Sequence, residues 1–220
     1  MRVLVTAGGT KEYIDGVRYI GNCSSGQTGA DLVDYLTDQG HEVVWLGAKC
    51  AIKPKQNVIQ IEYETFDDLA TAMQKVLSEN RFDVVFQAAA VSDFKVSAVV
   101  LDGDRFDAGR DVKLPTADEV QLILNKQPKL VSSIKKWSMN PHILVVAFKL
   151  TNSHDQAIRK TAIAKLINQE TIDLVAHNDL NEISECAHGF CLYSELKQSE
   201  NCLDIRAMAD AVIQGLGKSL

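Results

Sequence analysis

Short apolar runs alternate with amphipathic segments along most of the chain. Arg2 to Ala7 is an aliphatic and β-branched run that leads into a glycine turn, which predicts a buried strand. Residues 27–39 carry apolar side chains at helical spacing, and Gly40 follows where a helix commonly ends. Residues 42–47 form the next apolar run. Because this order gives a strand, a helix and a second strand, it predicts a parallel sheet.

The same alternation continues toward the C-terminus. Further strands are predicted at residues 58–61, 83–90, 120–124, 143–150 and 172–176, and further helices at residues 66–78, 129–137, 155–168 and 205–216. In the helix at residues 155–168, Ile158, Ala162 and Leu166 are expected to face the core. Residues 189–196 alternate as an exposed antiparallel strand does. We therefore predict an α/β fold with a Rossmann-like, doubly wound, mostly parallel sheet and a short antiparallel extension. No repeat or flexible linker divides the chain, so one domain spanning residues 1–220 is expected.

Residues 92–113 interrupt the alternation. This stretch is rich in aspartate and glycine and has no clear long period. Loops of this length inside compact domains are usually functional or mobile. A long loop is therefore expected here.

Composition narrows the class of protein. Hydrophobic residues make up 46% and charged residues 24% of the 220 residues, and the net charge of −6 excludes a broad surface for nucleic acid. No apolar run is long enough to span a bilayer, and the N-terminus resembles a strand rather than a signal peptide. Five scattered cysteines, an odd number, are typical of reduced thiols. These features predict a cytoplasmic protein with no nucleic-acid and no membrane partner.

The strongest local motif lies at the start of the first predicted helix. Asn22-Cys23-Ser24-Ser25-Gly26-Gln27-Thr28-Gly29 combines hydroxyls, an amide and two glycines with the free N–H groups of a helix N-terminus, a combination that favours phosphate. The Gly8-Gly9-Thr10 turn would supply a second edge. In the alternative interpretation, Ser24 or Ser25 only caps the helix and the glycines shape turns. The spacing matches neither a Walker loop nor a strict G-x-G-x-x-G motif.

A second motif follows the predicted strand at residues 83–90. Ala88-Ala89-Ala90-Val91-Ser92-Asp93-Phe94 lies at the carboxyl end of that strand, the edge at which open α/β sheets bind ligands. The small side chains allow a ligand to approach the backbone. The Asp93 carboxylate is a candidate acceptor for a substrate hydroxyl or amide, or a candidate magnesium ligand. A turn or capping aspartate is the alternative.

Lysine, cysteine and histidine side chains are the candidates for phosphate and metal chemistry. A triphosphate would need cations near the ends of predicted elements, where solvent-exposed lysines are the alternative: Lys113, Lys126, Lys149, Lys160 and Lys165. One cluster has metal-ligating residue types, although its spacing fits no common zinc site: Cys186, His188, Cys191 and Cys202. No nucleophilic triad is evident, so catalysis by a protein nucleophile is not expected.

Taken together, the motifs resemble those of one family. They are Val5-Thr6-Ala7-Gly8-Gly9-Thr10, Ile14-Asp15, Val17-Arg18-Tyr19-Ile20, Asn22-x-Ser24-Ser25-Gly26-x-x-Gly29, Ala88 to Phe94, Phe148-Lys149-Leu150 and Ala176-x-Asn178-Asp179-Leu180. In this order they resemble the phosphopantothenoylcysteine synthetases, also called phosphopantothenate–cysteine ligases, over nearly the whole chain. With Met1 almost against the first strand, the stand-alone form of the family is expected.

The resemblance implies a ligation in two steps. The carboxylate of 4′-phosphopantothenate attacks the α-phosphate of CTP or ATP, and the amine of L-cysteine then displaces the nucleotide. It also implies Mg²⁺, a homodimer with shared active sites, and a flap over residues 92–113 that excludes water. A reductase that uses NAD(P) and a non-catalytic nucleotide-binding protein remain as alternatives.

The resemblance further assigns roles to individual residues. The nucleotide-binding residues are Gly9, Ser24, Gly26, Gly29, Asn125, Lys126, Phe148 and Asn178, and the turn from Asn125 to Pro128, an Asn-x-x-Pro sequence, is expected to touch the nucleotide. The substrate-binding residues are Asn22, Ala88, Ala89, Ala90 and Asp93. Asn22 and Lys113 are the implied catalytic residues, and the metal ligands stay unassigned. Three features depart from the family pattern: Cys23 in place of a basic residue, Lys113-Leu114-Pro115 in place of a Lys-Ile run, and Thr151 where many members have glutamate.

Overall fold

The computed structural model describes residues 1–184, 188–196 and 198–217. Its strands are β1 (Arg2–Ala7), β2 (Lys11–Tyr13), β3 (Tyr19–Gly21), β4 (Glu42–Ala48), β5 (Ile59–Tyr63), β6 (Val84–Gln87), β7 (Phe94–Leu101), β8 (Asp104–Asp107), β9 (Val120–Lys126), β10 (Leu144–Thr151), β11 (Leu174–Asp179), β12 (Phe190–Glu195) and β13 (Gln198–Cys202). Its helices are α1 (Gln27–Asp38), α2 (Phe66–Glu79), α3 (Ile134–Trp137), α4 (Gln156–Ile167) and α5 (Ile205–Gly217), with short 3₁₀ segments at Leu130–Ser133 and Leu180–Glu182.

A central eight-stranded sheet carries the fold. Its strand order is β13-β12-β11-β10-β6-β1-β4-β5. The pairings from β11 through to β5 are parallel, whereas β12 and β13 are antiparallel additions at one edge. The predicted mostly parallel sheet with a short antiparallel extension is therefore confirmed.

The apolar positions of the sequence pattern form the core around this sheet. Leu4, Trp45 and Phe86 are completely buried on β1, β4 and β6. Helix α1 buries Leu32, and α2 buries Leu69, as helical spacing predicted. The parallel strands end at a common edge, where ligands bind in open α/β sheets.

The expectation of a long loop at residues 92–113 is wrong. Strands β7 and β8 lie within this stretch and pair antiparallel through a turn at Asp102-Gly103, where both residues have positive φ. Asp-Gly is a strong signal for such a turn. A register shift between Val96 and Ala98 interrupts the alternation on β7, and that irregularity hid the strand in the hydrophobic pattern.

The predicted strand at residues 120–124 is present but is not part of the central sheet. It forms β9, which pairs antiparallel with β7 in a separate three-stranded sheet, and not with the central strands. This small sheet has its own buried cluster of Val96, Val99, Leu101 and Leu114. The hairpin of β2 and β3 and the edge strand β13 were not predicted.

Two helix predictions also need correction. Residues 129–137 form a 3₁₀ segment and one short α-helical turn instead of a continuous helix. On α4, Ile158 is 56% exposed, whereas Arg159 is buried. The reason is polar: the Arg159 Nε atom donates to the backbone oxygen of Ser153 over 2.6 Å and lies 3.1 Å from the Asp179 carboxylate. Among the described residues, no helix is both long and apolar enough to cross a membrane.

Candidate functional site

A cavity of about 580 Å³ opens at the carboxyl ends of β1, β6 and β10. Two motifs from the sequence form opposite sides of it: the turn that enters α1 and the segment that follows β6. The lining residues are Ala7, Gly8, residues 22–29, residues 87–93, residues 128–131, residues 147–150, Leu166, Asn178, Ile183, His188 and Phe190.

The start of α1 presents backbone N–H groups rather than a side-chain cap. Gly26 is the N-cap residue in the left-handed conformation, with φ of 77°, and no side chain caps the helix. Ser24 is therefore not the capping residue of the alternative interpretation, and Ser25 Oγ only accepts from Gln27 N over 3.3 Å. A side chain at position 26 would also press on Ala51, since an added Cβ would lie 2.7 Å from the Ala51 Cβ. Unpaired N–H groups at a helix start attract anions.

Gly9 lies behind Asn22 rather than in the cavity lining. It forms a bridge with Ala90, and an added Cβ would lie 2.3 Å from the Asn22 backbone oxygen. The backbone N–H of Asn22 donates to the Thr10 oxygen over 3.4 Å. Gly9 thus allows the close approach that places Asn22 at the mouth of the cavity.

Hydroxyl groups tie the end of β6 to the end of β1. The Thr10 hydroxyl donates to Ser92 Oγ over 2.9 Å and accepts from Ser92 N over 2.9 Å. Thr6 Oγ1 accepts from Ala89 N over 3.1 Å. Beyond this point Asp93 pairs with Lys129, and both side chains are more than half exposed. The Asp93 carboxylate thus lies at the cavity rim beside a cation.

Aromatic rings and one amide form the far end of the cavity. The ring of His188 stacks on Phe190 with centroids 4.9 Å apart, and Phe148 meets Phe190 edge to face at 5.8 Å. Asn178 Nδ2 lies 2.8 Å from His188 Nε2. Burial lowers the pKa of His188, although the charge of Asp31 opposes the shift. The neutral imidazole is therefore favoured.

A buried polar cluster anchors the strand end that carries Asn178. Asp179 is fully buried, and its carboxylate accepts from Thr151 Oγ1 and from Asn181 N, with Arg159 Nε at 3.1 Å. Burial acts to raise the pKa of Asp179, but the hydrogen bonds outweigh it and hold the pKa below its usual range. Because side chains alternate along a strand, this anchor turns Asn178 toward the cavity.

Most of the site residues that the resemblance implied meet in the cavity lining. They are Asn22, Ser24, Gly26, Gly29, Ala88, Ala89, Ala90, Asp93, Phe148 and Asn178. Gly9, Lys113, Asn125 and Lys126 do not line it. Lys113 lies between Val112, whose oxygen accepts from Gly16 N over 2.6 Å, and Leu114, whose N–H donates to Asp15, so it lies beside the β2–β3 hairpin.

The cavity also contains residues that sequence reasoning missed. Lys129 lines it directly after Pro128, which is the last residue of the turn expected to touch the nucleotide and also lines the cavity. Phe190 was recognised only as part of a strand. Lys149, for which two roles were open, faces the cavity, whereas the exposed Lys160 and Lys165 are not in its lining. The lysine after the Asn-x-x-Pro turn was the available signal for Lys129.

The cluster of cysteines and His188 that the sequence suggested does not form a metal site in the part of the chain that the structure describes. No group of three or more histidine, cysteine, aspartate or glutamate side chains there is arranged to hold a metal ion. His188 instead contacts Asn178, and Cys202 is buried as a free thiol. Cys186 lies outside the described residues.

The fold is that of an α/β protein with a cavity where its parallel strands end, and the uncapped start of α1 forms one side of that cavity. Comparison with known sequences is more specific: residues 1–201 match the family described as "DNA/pantothenate metabolism flavoprotein C-terminal domain", and the chain belongs to that family. The resemblance seen in the motifs is thereby confirmed.

Individual relatives agree with this assignment. The coenzyme A biosynthesis bifunctional protein CoaBC of Thermococcus kodakarensis is 35% identical over 179 residues, which are 81% of this chain and 41% of that protein. The chain thus spans about two fifths of the length of the curated relatives it matches.

Solved structures share the whole fold. The DNA/pantothenate metabolism flavoprotein from Streptococcus pneumoniae superposes with a TM-score of 0.85, at 27% identity and with both chains fully covered. A Cab2 variant in complex with phosphopantothenate-cysteine superposes with a TM-score of 0.75 at 17% identity, covering 99% of this chain and 86% of that chain. The second likeness concerns the fold alone.

Proposed function

We propose that this protein is a phosphopantothenate–cysteine ligase of coenzyme A biosynthesis, which joins 4′-phosphopantothenate to L-cysteine through an acyl nucleotide made from CTP or ATP. The observation that carries the proposal is a single cavity in which the uncapped start of α1 and Asn22 face the segment from Ala88 to Asp93. The family, the CoaBC relatives and the named ligand of the Cab2 variant support it.

The first step activates the carboxylate. A carboxylate oxygen of 4′-phosphopantothenate attacks the α-phosphorus, the bond to the β-phosphate breaks, and pyrophosphate leaves. The phosphates would lie at Ser24, Gly26 and Gly29, at the uncapped start of α1. Lys129 and Lys149 would supply positive charge, because both line the cavity. We propose that Lys129 takes the nucleotide contact that the resemblance implied for Asn125 and Lys126.

The second step forms the amide. The amine of L-cysteine attacks the acyl carbonyl, the bond to the nucleotide breaks, and the nucleoside monophosphate leaves while the amine loses a proton. The Asn22 side-chain amide would donate to the carbonyl oxygen as negative charge develops there. Ala88, Ala89 and Ala90 would let the substrate lie against the backbone, and Asp93 would accept from its polar groups.

Mg²⁺ would neutralise charge on the triphosphate. Among the described residues no protein cage for a metal exists. The donor set fits an ion held mainly by phosphate oxygens, as Mg²⁺ commonly is, with Asp93 as the carboxylate that this chain offers in the cavity.

We also propose a cytoplasmic homodimer in which the chain acts as one domain and the active sites are shared. Lys113 does not line the cavity of its own chain, so a site completed by a second copy is the arrangement that would use it. Exposed apolar side chains on the small sheet and the β2–β3 hairpin offer a surface for that copy: Tyr19, Ile20, Phe94, Val120 and Leu124.

A single-turnover experiment tests the proposed function. With labelled CTP or ATP, 4′-phosphopantothenate and cysteine, the protein is expected to release pyrophosphate and form the amide. Asn22→Ala should still release pyrophosphate but accumulate the acyl nucleotide. Binding of triphosphate with no pyrophosphate release would contradict the proposal and indicate a non-catalytic nucleotide-binding protein.

A further inference from the structure

The Asn178 side-chain amide contacts the ring of His188 through its nitrogen. The 2.8 Å contact joins Asn178 Nδ2 to His188 Nε2. An amide nitrogen can only donate, so Nε2 must accept, and the proton of the neutral ring is then on Nδ1. No hydrogen bond between described residues uses the amide oxygen of Asn178. This oxygen is therefore the acceptor that Asn178 presents to the cavity.

The surroundings hold both partners in place. The His188 ring stacks on Phe190 at an interplanar angle of 26°, and Phe190 is itself buried. Next to Asn178, Asp179 is tied to its neighbours by the hydrogen bonds described above. The backbone of Asn178 is thus held by its anchored neighbour, and the side-chain amide contacts an acceptor, His188 Nε2, that is itself held in place.

Resting on the proposed function, we infer that His188 is a positioning residue that determines base specificity. By turning the Asn178 oxygen toward the cavity, it selects a nucleoside triphosphate whose base carries an exocyclic amine, as cytosine and adenine do. Uracil and hypoxanthine carry a carbonyl oxygen at the same place, and two acceptors would then face each other. A site built to hydrogen-bond one group rejects the analogue that lacks it, because a polar group is left unpaired.

Two variants of opposite hydrogen-bonding character test the inference. In His188→Glu the new side chain accepts from Asn178 Nδ2 and keeps the amide orientation. In His188→Lys it only donates, so the amide must rotate and present its nitrogen to the base. His154→Lys, an exposed histidine outside the cavity lining, introduces the same side chain as a control. Thermal unfolding establishes that each variant is folded.

The measured quantity is the ratio of kcat/KM for CTP to that for UTP in pyrophosphate release, which cancels effects common to both triphosphates. The wild type, His188→Glu and His154→Lys are expected to prefer CTP by about tenfold or more, the effect of one unpaired hydrogen-bonding group. His188→Lys should lose or reverse this preference. ATP and ITP form a second pair with the same expectation.

Two results would overturn the inference: a wild type with equal kcat/KM for both members of each pair, or a folded His188→Lys variant with the wild-type ratio. If the wild type released no pyrophosphate with any triphosphate, the proposed function would fail instead. In that case the affinities for CTP and UTP are measured by calorimetry for each variant, and the ratio of the two affinities is expected to follow the same order as the ratio of kcat/KM values.

Discussion

Gly9 and Asn22 lie so close together that a Cβ atom on residue 9 would be 2.3 Å from the Asn22 backbone oxygen. The contact links the glycine turn after β1 to the amide at the mouth of the cavity. A residue that lines no part of the cavity therefore controls where the proposed catalytic amide lies.

Gly9→Ala is expected to displace the Asn22 turn. Overpacking of this kind lowers the free energy of unfolding by about 1–3 kcal/mol, and amide formation should fall with it. Chemical denaturation and product assays measure the two effects. Gly215→Ala on α5 is the matched control, because a Cβ there meets nothing within 4 Å. An alanine variant at position 9 with wild-type stability and activity would show that the contact does not position Asn22.

The hydroxyl pair of Thr10 and Ser92 should couple the ends of β1 and β6. Both residues are buried and bonded twice to each other. Thr10→Val leaves buried polar groups of Ser92 unpaired, so it should cost about 1–3 kcal/mol of unfolding free energy. A double-mutant cycle with Ser92→Ala measures the coupling. Strict additivity of the two substitutions would mean that the hydroxyls do not act as a pair.

Lys129 and Lys126 allow a direct test of which lysine serves the nucleotide. Lys129 lines the cavity beside Asp93, whereas Lys126 is exposed on β9 outside the lining. Lys129→Ala should weaken CTP or ATP binding about tenfold through loss of a charge-assisted contact, and Lys126→Ala should change it little. Calorimetric titration measures both affinities. A larger loss of affinity in Lys126→Ala than in Lys129→Ala would support the contact that the resemblance implied.

Asp179 should make folding depend on pH under acidic conditions. Its folded pKa lies below the unfolded value of about 4, so the stabilisation is complete above that value and is lost as the pH falls toward the folded pKa. The free energy of unfolding should thus decline more steeply below about pH 4 in the wild type than in Asp179→Asn.

Denaturant titrations across that range measure the slope. Asp104→Asn, on the exposed strand β8, is the control and should follow the wild type. Equal slopes for the wild type and Asp179→Asn would contradict the account of the buried carboxylate.

The sequence predicted the central sheet because its inner strands β1, β4 and β6 are buried on both faces. The run from Arg2 to Ala7 is continuous and apolar, and β1 has the bounds that this run indicated. The small sheet was not predicted, because a register shift on β7 interrupts the alternation of apolar and polar positions. Helical periodicity also predicted that Ile158 faces the core. In the structure Arg159 is buried instead, because it pairs with the buried carboxylate of Asp179.

The site was partly predictable for a related reason. Asn22 and Asp93 follow predicted strands or precede a predicted helix, and the common edge of a parallel sheet brings such positions together. The contact of His188 with Asn178 joins the segment before β12 to the neighbouring strand β11 and depends on tertiary packing that no local pattern records. Lys113 shows the opposite case, since a role implied by the resemblance does not by itself place a side chain in the cavity.

The most direct test of the central claim is exchange of label between pyrophosphate and CTP or ATP in the absence of cysteine. A cavity that joins the substrate carboxylate to the α-phosphate makes this first step reversible, so label should enter the triphosphate only when 4′-phosphopantothenate is present. No exchange with the acid present, or equal exchange without it, would contradict an acyl nucleotide formed in this cavity.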